Sequence, residues 1–239
     1  MILNLIQGGT NIRPPLSNME NLYEDKIKNL KEDYFYRMFS PIAMEISDSY
    51  HNEEGRIIEE FLLNHSASSS MNFVSIGAGA LRHLRYALRF TYGYVGVEPS
   101  LKHFLNDDIA FLIERNRDIT LVNKKFESLD RQDLPFGNCF YVFLFNIFPY
   151  LKDPLSVINR FLKKGDVIFL STWKVTAPAM AIRKKYFDYL NSFEKDVVIN
   201  PDKDIILGNW RKFPFSDLKY YQNHKIIEGD VTEILIIYT

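Results

Sequence analysis

The chain has 239 residues, of which 46% are hydrophobic and 25% charged, a composition typical of a folded globular protein and not of a disordered or fibrous one. Lysine and arginine total 29 against 30 acidic residues, so the chain has no strong positive field to gather nucleic acid. The single cysteine, Cys139, excludes an internal disulfide and a multi-thiolate metal site. We therefore expect no nucleic-acid partner.

The start of the chain and its apolar runs bear on localisation. The first nine residues lack a basic leader and a small-residue cleavage pattern, and the longest apolar run, 139–151, is too short to cross a bilayer. These features predict a cytoplasmic protein with no membrane partner. The five histidines show no paired spacing with acids or cysteines, so we predict no metal site. The sequence leaves the oligomeric state open.

The N-terminal third of the chain differs from the rest. Residues 8–15 contain paired glycines and prolines and predict an irregular lead-in, whereas 18–64 is charged and amphipathic and predicts two or three helices. The serine-rich stretch 66–70 is typical of a flexible connector. We therefore divide the chain into an N-terminal helical segment, 1–70, and an α/β domain, 71–239. The first segment could close over a ligand as a lid, or its aromatic residues could pack its helices onto the sheet.

Beyond residue 71, short apolar runs alternate with helical stretches, as in repeated βαβ units around a parallel sheet. We predict strands at 72–76, 93–97, 119–122, 140–145 and 166–172, and helices at 81–90, 101–114, 155–162 and 177–193. The tail, 219–227 and 231–238, predicts an antiparallel hairpin that closes the sheet. The predicted fold class is α/β, with a Rossmann-like, doubly wound, seven-stranded sheet that is mostly parallel and carries an N-terminal helical appendage.

Two motifs lie at the ends of the first two predicted strands. Gly77 and Gly79 end the first strand, where glycines let the backbone turn tightly against a ligand and the following helix offers free N–H groups. Glu98 ends the next strand, about twenty residues on, where a carboxylate can accept both ribose hydroxyls of an adenosine moiety. The dinucleotide fingerprint would place its last glycine at Arg82, so this bulky cation argues against NAD or FAD.

With these residues, the chain resembles the class I S-adenosylmethionine-dependent methyltransferase family over about 72–172 and the terminal hairpin. Residues 75–79 are similar to the family's first motif, 97–100 to its second, 126–129 to its adenine-contacting segment and 145–151 to its fourth-strand motif. The resemblance implies S-adenosyl-L-methionine as the cofactor. The residues that it implies for cofactor binding are Ser75, Gly77, Ala78, Gly79, Arg82, Glu98, Pro99, Phe126, Glu127, Asn146 and Ile147.

Two positions depart from the family's pattern. Ser75 stands where the family has an acid, which weakens anchoring of the methionine amino group, and Leu81 stands where the family has a third glycine, which narrows the turn. Arg82 could reach the methionine carboxylate or could face outward. Asn146 could accept a hydrogen bond from the methionine ammonium.

The resemblance also implies where an acceptor would bind. The sulfonium of the cofactor is already activated, so methyl transfer needs in-line positioning in a site screened from water, and a base is optional. The acceptor pocket is expected at the carboxyl ends of the fourth and fifth strands. Its predicted lining is Tyr23, Tyr36, Tyr150 and Trp173. Tyr150 and His51 are the candidate catalytic residues, and His83 is also placed to act as a base.

The prediction is therefore a methyltransferase with a small-molecule acceptor, aromatic or amine-bearing. Two alternatives stay open. The same scaffold could transfer the aminocarboxypropyl arm of the cofactor. A non-catalytic binding or interaction protein could also keep the fold, and the departures at Ser75 and Leu81 motivate that alternative.

Overall fold

Eight strands form one sheet in the part of the chain that the structure, a computed structural model, describes. That part comprises residues 5–6, 37–38, 40–79, 81, 83–99, 113, 118–145, 147–192 and 210–239. The strands are β1 (Leu5–Ile6), β2 (Asn72–Ile76), β3 (Gly93–Val97), β4 (Ile119–Val122), β5 (Cys139–Phe143), β6 (Val167–Trp173), β7 (Asn223–Glu228) and β8 (Thr232–Tyr238).

The strand order is β1-β4-β3-β2-β5-β6-β8-β7. The strands from β1 to β6 run parallel to their neighbours, β8 is antiparallel to β6, and β7 closes the edge as the antiparallel partner of β8. The chain thus runs outward from β2 through β3 to β4 and then returns to the other side of β2 as β5. The predicted doubly wound sheet with its terminal hairpin is confirmed, and the two-residue β1 extends the seven predicted strands at the edge beside β4.

Five α-helices connect or cover these strands among the described residues. They are α1 (Pro41–Ile46), α2 (Asp48–Asn64), α3 (Leu84–Phe90), α4 (Pro154–Phe161) and α5 (Ala177–Asn191). Ser40 begins α1 as its N-cap, because its hydroxyl accepts the Ala43 N–H at 3.2 Å, and proline occupies the first turn of α1, α4 and α5. The helices predicted before residue 37 and at 101–114 lie outside the described residues, except for residue 113.

The core lies on both faces of the sheet. On one face, Ile58 and Leu62 of α2 pack with the phenylalanines of β2, β5 and β6, and on the other, α4 packs with β5 and with segment 210–221. A smaller cluster joins α1 to α5 through Ala43, Tyr186 and Leu190. The central strands are buried on both sides, which explains why they appear in the sequence as continuous apolar runs.

Three predicted boundaries are displaced by a turn that the sequence pattern does not reveal. Leu81 was expected to begin a helix, but its φ is 55° and α3 begins only at Leu84. Phe145 was expected to end a strand, but its φ is 52° and β5 ends at Phe143. The hairpin strand was expected from residue 219, but residues 218–221 form a turn and β7 begins at Asn223. The hydrophobic pattern of a sequence does not reveal whether φ is positive or negative. From the sequence, the first two turns therefore cannot be distinguished from a continued helix or strand.

The turn of the terminal hairpin is held by an acid on α2. The Glu53 carboxylate accepts the N–H groups of Asp230, Val231 and Thr232 and the Thr232 hydroxyl. Gly229 leaves the space for this carboxylate, since a Cβ there would lie 2.1 Å from Glu53 Cδ. Partial burial raises the pKa of Glu53, but the hydrogen bonds outweigh that effect and lower the pKa below its ordinary value of 4.5.

This carboxylate should make a pH-dependent contribution to stability. We expect Glu53→Gln to reduce the free energy of unfolding by roughly 1 kcal/mol at pH 7 because it removes charge-assisted hydrogen bonds at a half-exposed site. Since the folded-state pKa is lowered, the contribution is present above pH 4.5 and is lost as pH falls through the folded pKa. Urea titrations of both proteins between pH 7 and pH 3 measure it. A constant difference across that range would contradict this assignment.

Candidate functional site

The turn after β2 lies at the carboxyl edge of the sheet, where the direction of winding reverses. Gly77 and Gly79 have φ values of 67° and 49°, a conformation that glycine adopts without a steric penalty. The Val97 carbonyl at the end of β3 accepts the Gly77 N–H at 2.9 Å and the Ala78 N–H at 3.1 Å. The turn is thereby fixed against the neighbouring strand. Crevices at such reversal points are the usual ligand sites of open α/β sheets.

The glycine turn also approaches the segment that follows β5. A Cβ at Gly77 would lie 2.2 Å from Cδ1 of Ile147, so the half-buried Ile147 occupies the space that a side chain at Gly77 would need. Two residues that the sequence assigned to cofactor binding are therefore in direct proximity.

Glu98 meets the same turn from the other side. Its backbone N–H donates to the Val122 carbonyl at 3.1 Å, which continues the β3–β4 ladder by one residue, and its side chain turns toward β2. The Gly79 N–H donates to Glu98 Oε2 at 3.2 Å. The glycine turn and the acid, which are 19 residues apart, thus form one half-buried site, while Pro99 beside them is exposed.

Ser75, which stands at the position of the family's acid, is buried in β2. It lies next to Tyr94 of β3. The Tyr94 ring passes close to Gly96, as shown by the 3.0 Å that would separate a Cβ at Gly96 from Tyr94 Cε1. Burial raises the pKa of Tyr94 far above its ordinary value, the nearby Ser75 hydroxyl lowers it, and the negative charge of Glu98 raises it further. Tyr94 therefore stays neutral beneath the glycine turn.

Leu81 takes a left-handed conformation, which glycine adopts without the penalty that a Cβ imposes. Its φ is 55° and its side chain is only 4% exposed, packed against the β3 side of the turn, 3.2 Å from where a Cβ at Gly96 would lie. Burial of the leucine side chain offsets the cost of the positive φ.

A cluster of aromatic residues lies at the carboxyl ends of β5 and β6. Phe145 is at its centre, with the rings of Tyr50 at 5.3 Å, His51 at 4.6 Å and Tyr186 at 5.5 Å. Trp173, at the end of β6, is 5% exposed and its ring centre is 4.3 Å from that of Tyr50. The structure therefore brings His51 and Trp173, two predicted site residues, to the same edge of the sheet as the glycine turn.

The segment expected to contact adenine folds into a short 3-10 helix, Phe126–Ser128. The Phe126 side chain is buried, with its ring packed edge-on against Phe143 at 5.5 Å. The Glu127 carboxylate accepts the Lys152 N–H at 3.3 Å, which joins this segment to the start of α4. Both residues follow β4 at the carboxyl edge.

Some predicted site residues lie outside the described residues. They are Tyr23 and Tyr36 of the expected pocket and Arg82 and Asn146 of the expected cofactor site. The backbone of Tyr150 belongs to a 3-10 helix, Phe148–Tyr150, directly after the turn that follows β5. The roles assigned to all predicted site residues stay predictions.

One buried residue of the site was missed from the sequence. Glu54 of α2 is fully buried, and its Oε1 accepts the Phe145 N–H at 2.9 Å and the Ser171 hydroxyl. Its Oε2 lies 3.3 Å from Nε2 of His83. A signal was present, because Glu54 lies four residues after Tyr50 and four before Ile58, on the apolar face of its helix.

Neither a protein-family model nor a curated protein sequence matches the chain. Among solved structures, a SAM-dependent methyltransferase from Aquifex aeolicus is similar with a TM-score of 0.51 and 12% identity, over 87% of this chain and 98% of that one. The N-methyltransferase NodS from Bradyrhizobium japonicum has a TM-score of 0.47 and 10% identity, over 79% and 96% of the two chains. Precorrin-6y C5,15-methyltransferase from Geobacter metallireducens has a TM-score of 0.43 and 15% identity, over 78% and 88%.

The likeness to the Aquifex aeolicus enzyme shows a shared fold. The chain has the architecture of a SAM-dependent methyltransferase, which confirms the predicted fold class and, at the level of the fold, the resemblance drawn from the motifs. Within the described ranges, no group of three or more histidine, cysteine or acidic side chains could hold a metal ion. No described helix is both long and apolar enough to cross a membrane.

The contact between Gly77 and Ile147 yields a stability prediction. Gly77→Ala should reduce the free energy of unfolding by about 1–3 kcal/mol, because the positive φ disfavours a Cβ and that Cβ would collide with Ile147. The double variant Gly77→Ala/Ile147→Ala should lose less than the sum of the two single variants, since the collision is removed. Denaturant titration of the four proteins measures both effects. A Gly77→Ala protein as stable as the wild type would show that the turn is not as described.

Proposed function

We propose that this chain is an S-adenosylmethionine-dependent methyltransferase that acts on a small-molecule acceptor. One observation carries the proposal: the glycine turn after β2 and the carboxylate after β3 meet, with the Gly79 N–H 3.2 Å from Glu98 Oε2, at the reversal point of the sheet. The pairing is the arrangement expected of a site for an adenosyl group.

The residues at this point fit such a cofactor. Glu98 would accept the ribose hydroxyls, and the absence of a Cβ at Gly77 and Gly79 would let the ligand approach the backbone. When bound, S-adenosylmethionine supplies an electrophilic methyl group that needs no further activation. The chain's contribution is to position the acceptor in line with that group and to exclude water, which the buried surroundings of Phe145 and Leu144 favour.

The aromatic cluster supports a small acceptor. Tyr50, His51, Phe145 and Trp173 lie at the carboxyl ends of β5 and β6, on the β5 side of the glycine turn. The half-buried rings of His51 and Phe145 would face a flat or cationic group, in keeping with an aromatic or amine-bearing acceptor, while the buried rings of Tyr50 and Trp173 support them. We assign His51 as the described side chain best placed to accept a proton, and Tyr150 as a second candidate from the adjoining segment. Within the N-terminal segment, 1–70, α2 is packed on the sheet and supplies Tyr50 and His51 to this side.

A near-balanced net charge supports a metabolite rather than nucleic acid as the acceptor. We place the proposed activity in the cytoplasm, the compartment that the sequence analysis predicts. Transfer of the aminocarboxypropyl arm and cofactor binding without catalysis remain the alternatives, and the tests below separate them.

Cofactor binding is the first test. Isothermal titration calorimetry should show binding of S-adenosylmethionine, and Glu98→Gln should weaken it about tenfold or more, because the negative charge is lost and only one of the two acceptor oxygens remains for the ribose hydroxyls. Glu60→Gln, an exposed carboxylate on α2, is the control and should bind like the wild type. No binding by the wild type would refute the proposed function, and equal affinity of Glu98→Gln would refute the ribose assignment.

The reaction product is the second test. Incubation with S-adenosylmethionine and a panel of aromatic and amine metabolites should yield S-adenosylhomocysteine, detected by mass spectrometry. Methylthioadenosine in its place would establish aminocarboxypropyl transfer. Cofactor binding without either product across the panel would favour a binding protein of the same fold.

A further inference from the structure

Glu54 of α2 is a buried acid that lies outside the cofactor motifs and contacts the segments around them. Glu54 has no exposed surface, and a buried carboxylate is costly unless hydrogen bonds and charges compensate it. Two buried polar side chains, Ser171 and His83, lie against this carboxylate. A residue of this kind is costly to keep for packing alone.

The contacts of Glu54 join three segments. Oε1 accepts the Phe145 N–H at 2.9 Å and the Ser171 hydroxyl, so it fixes the turn after β5 to β6. Tyr50, one helical turn earlier on α2, donates to the same Ser171 Oγ at 3.0 Å. Oε2 lies 3.3 Å from Nε2 of His83, the residue that directly precedes α3.

The positions of these segments indicate which part of a ligand they serve. Glu98 follows β3, the glycine turn follows β2 and Phe145 follows β5, and the strands are adjacent in that order. A ligand with its ribose on Glu98 that crosses the glycine turn therefore directs its other end toward the Phe145 turn. In S-adenosylmethionine that end is the amino-acid arm.

We infer that Glu54 is a positioning residue for the amino-acid arm of the cofactor, an inference that rests on the proposed function. Its carboxylate holds the Phe145 turn and His83 at a fixed separation, so the walls on either side of the arm are set before the ligand binds. The N-terminal helical segment thereby takes part in cofactor binding through Glu54. Glu54 does not take over the role of Ser75 or of any other motif residue; it holds the turns around them in place.

The test compares two ligands on matched variants. Glu54→Gln keeps the shape of the side chain and removes its charge, so the fold should survive, as circular dichroism would verify. We expect calorimetry to show affinity for S-adenosylmethionine reduced about tenfold or more, with affinity for 5′-methylthioadenosine, which lacks the amino-acid arm, unchanged. His83→Gln should give the same selective loss, and the double variant should lose no more than the larger single effect.

The neighbouring acid supplies the control. Glu53→Gln removes a carboxylate one residue away on α2 that holds the terminal hairpin, so it should lower the melting temperature and leave both affinities unchanged. Equal losses for both ligands in Glu54→Gln, or no loss for either, would overturn the inference while leaving the proposed function intact. If the wild type binds methylthioadenosine and S-adenosylmethionine with equal affinity, the arm is not recognised and the inference also fails. Wild-type protein that binds neither ligand refutes the proposed function itself.

Discussion

The hydrogen bond from the Gly79 N–H to the Glu98 carboxylate joins the turn after β2 to the end of β3. It is possible only because Gly77 and Gly79 take positive φ values and because the Val97 carbonyl fixes the start of the turn against β3. A residue with a Cβ at Gly77 would collide with Ile147, so the turn, the acid and the segment after β5 constrain one another. The proposed adenosyl site depends on this constraint.

The surroundings of that site come from outside the motifs. α2 covers one face of the central strands with Ile58 and Leu62, and the same helix carries Tyr50, His51 and Glu54 to the carboxyl ends of β5 and β6. Burial of the apolar face fixes the orientation of α2 on the sheet. The positions of its polar side chains then follow from their spacing along the helix. A helix that precedes the α/β sheet in the chain becomes part of the site by this route.

The central strands and the glycine-acid pair could be predicted because their signals are local. Buried parallel strands give uninterrupted apolar runs, and the bounds of β2, β3 and β4 agree with the sequence prediction. The turn residues Leu81 and Phe145 could not be predicted, since apolar side chains do not reveal a positive φ. The Glu54–His83 contact was missed for a different reason: it joins residues 29 positions apart whose proximity depends on how α2 docks on the sheet.

In the proposed function, the glycine turn and Glu98 bind the same adenosyl ligand. A crystal structure of the protein with S-adenosylhomocysteine would show whether they do. We predict both ribose hydroxyls within hydrogen-bond distance of the Glu98 carboxylate, about 2.5–3.0 Å, with the ligand in contact with the Gly77 and Gly79 backbone. A ligand bound elsewhere on the protein, or a ribose at this edge that does not meet Glu98, would contradict the claim.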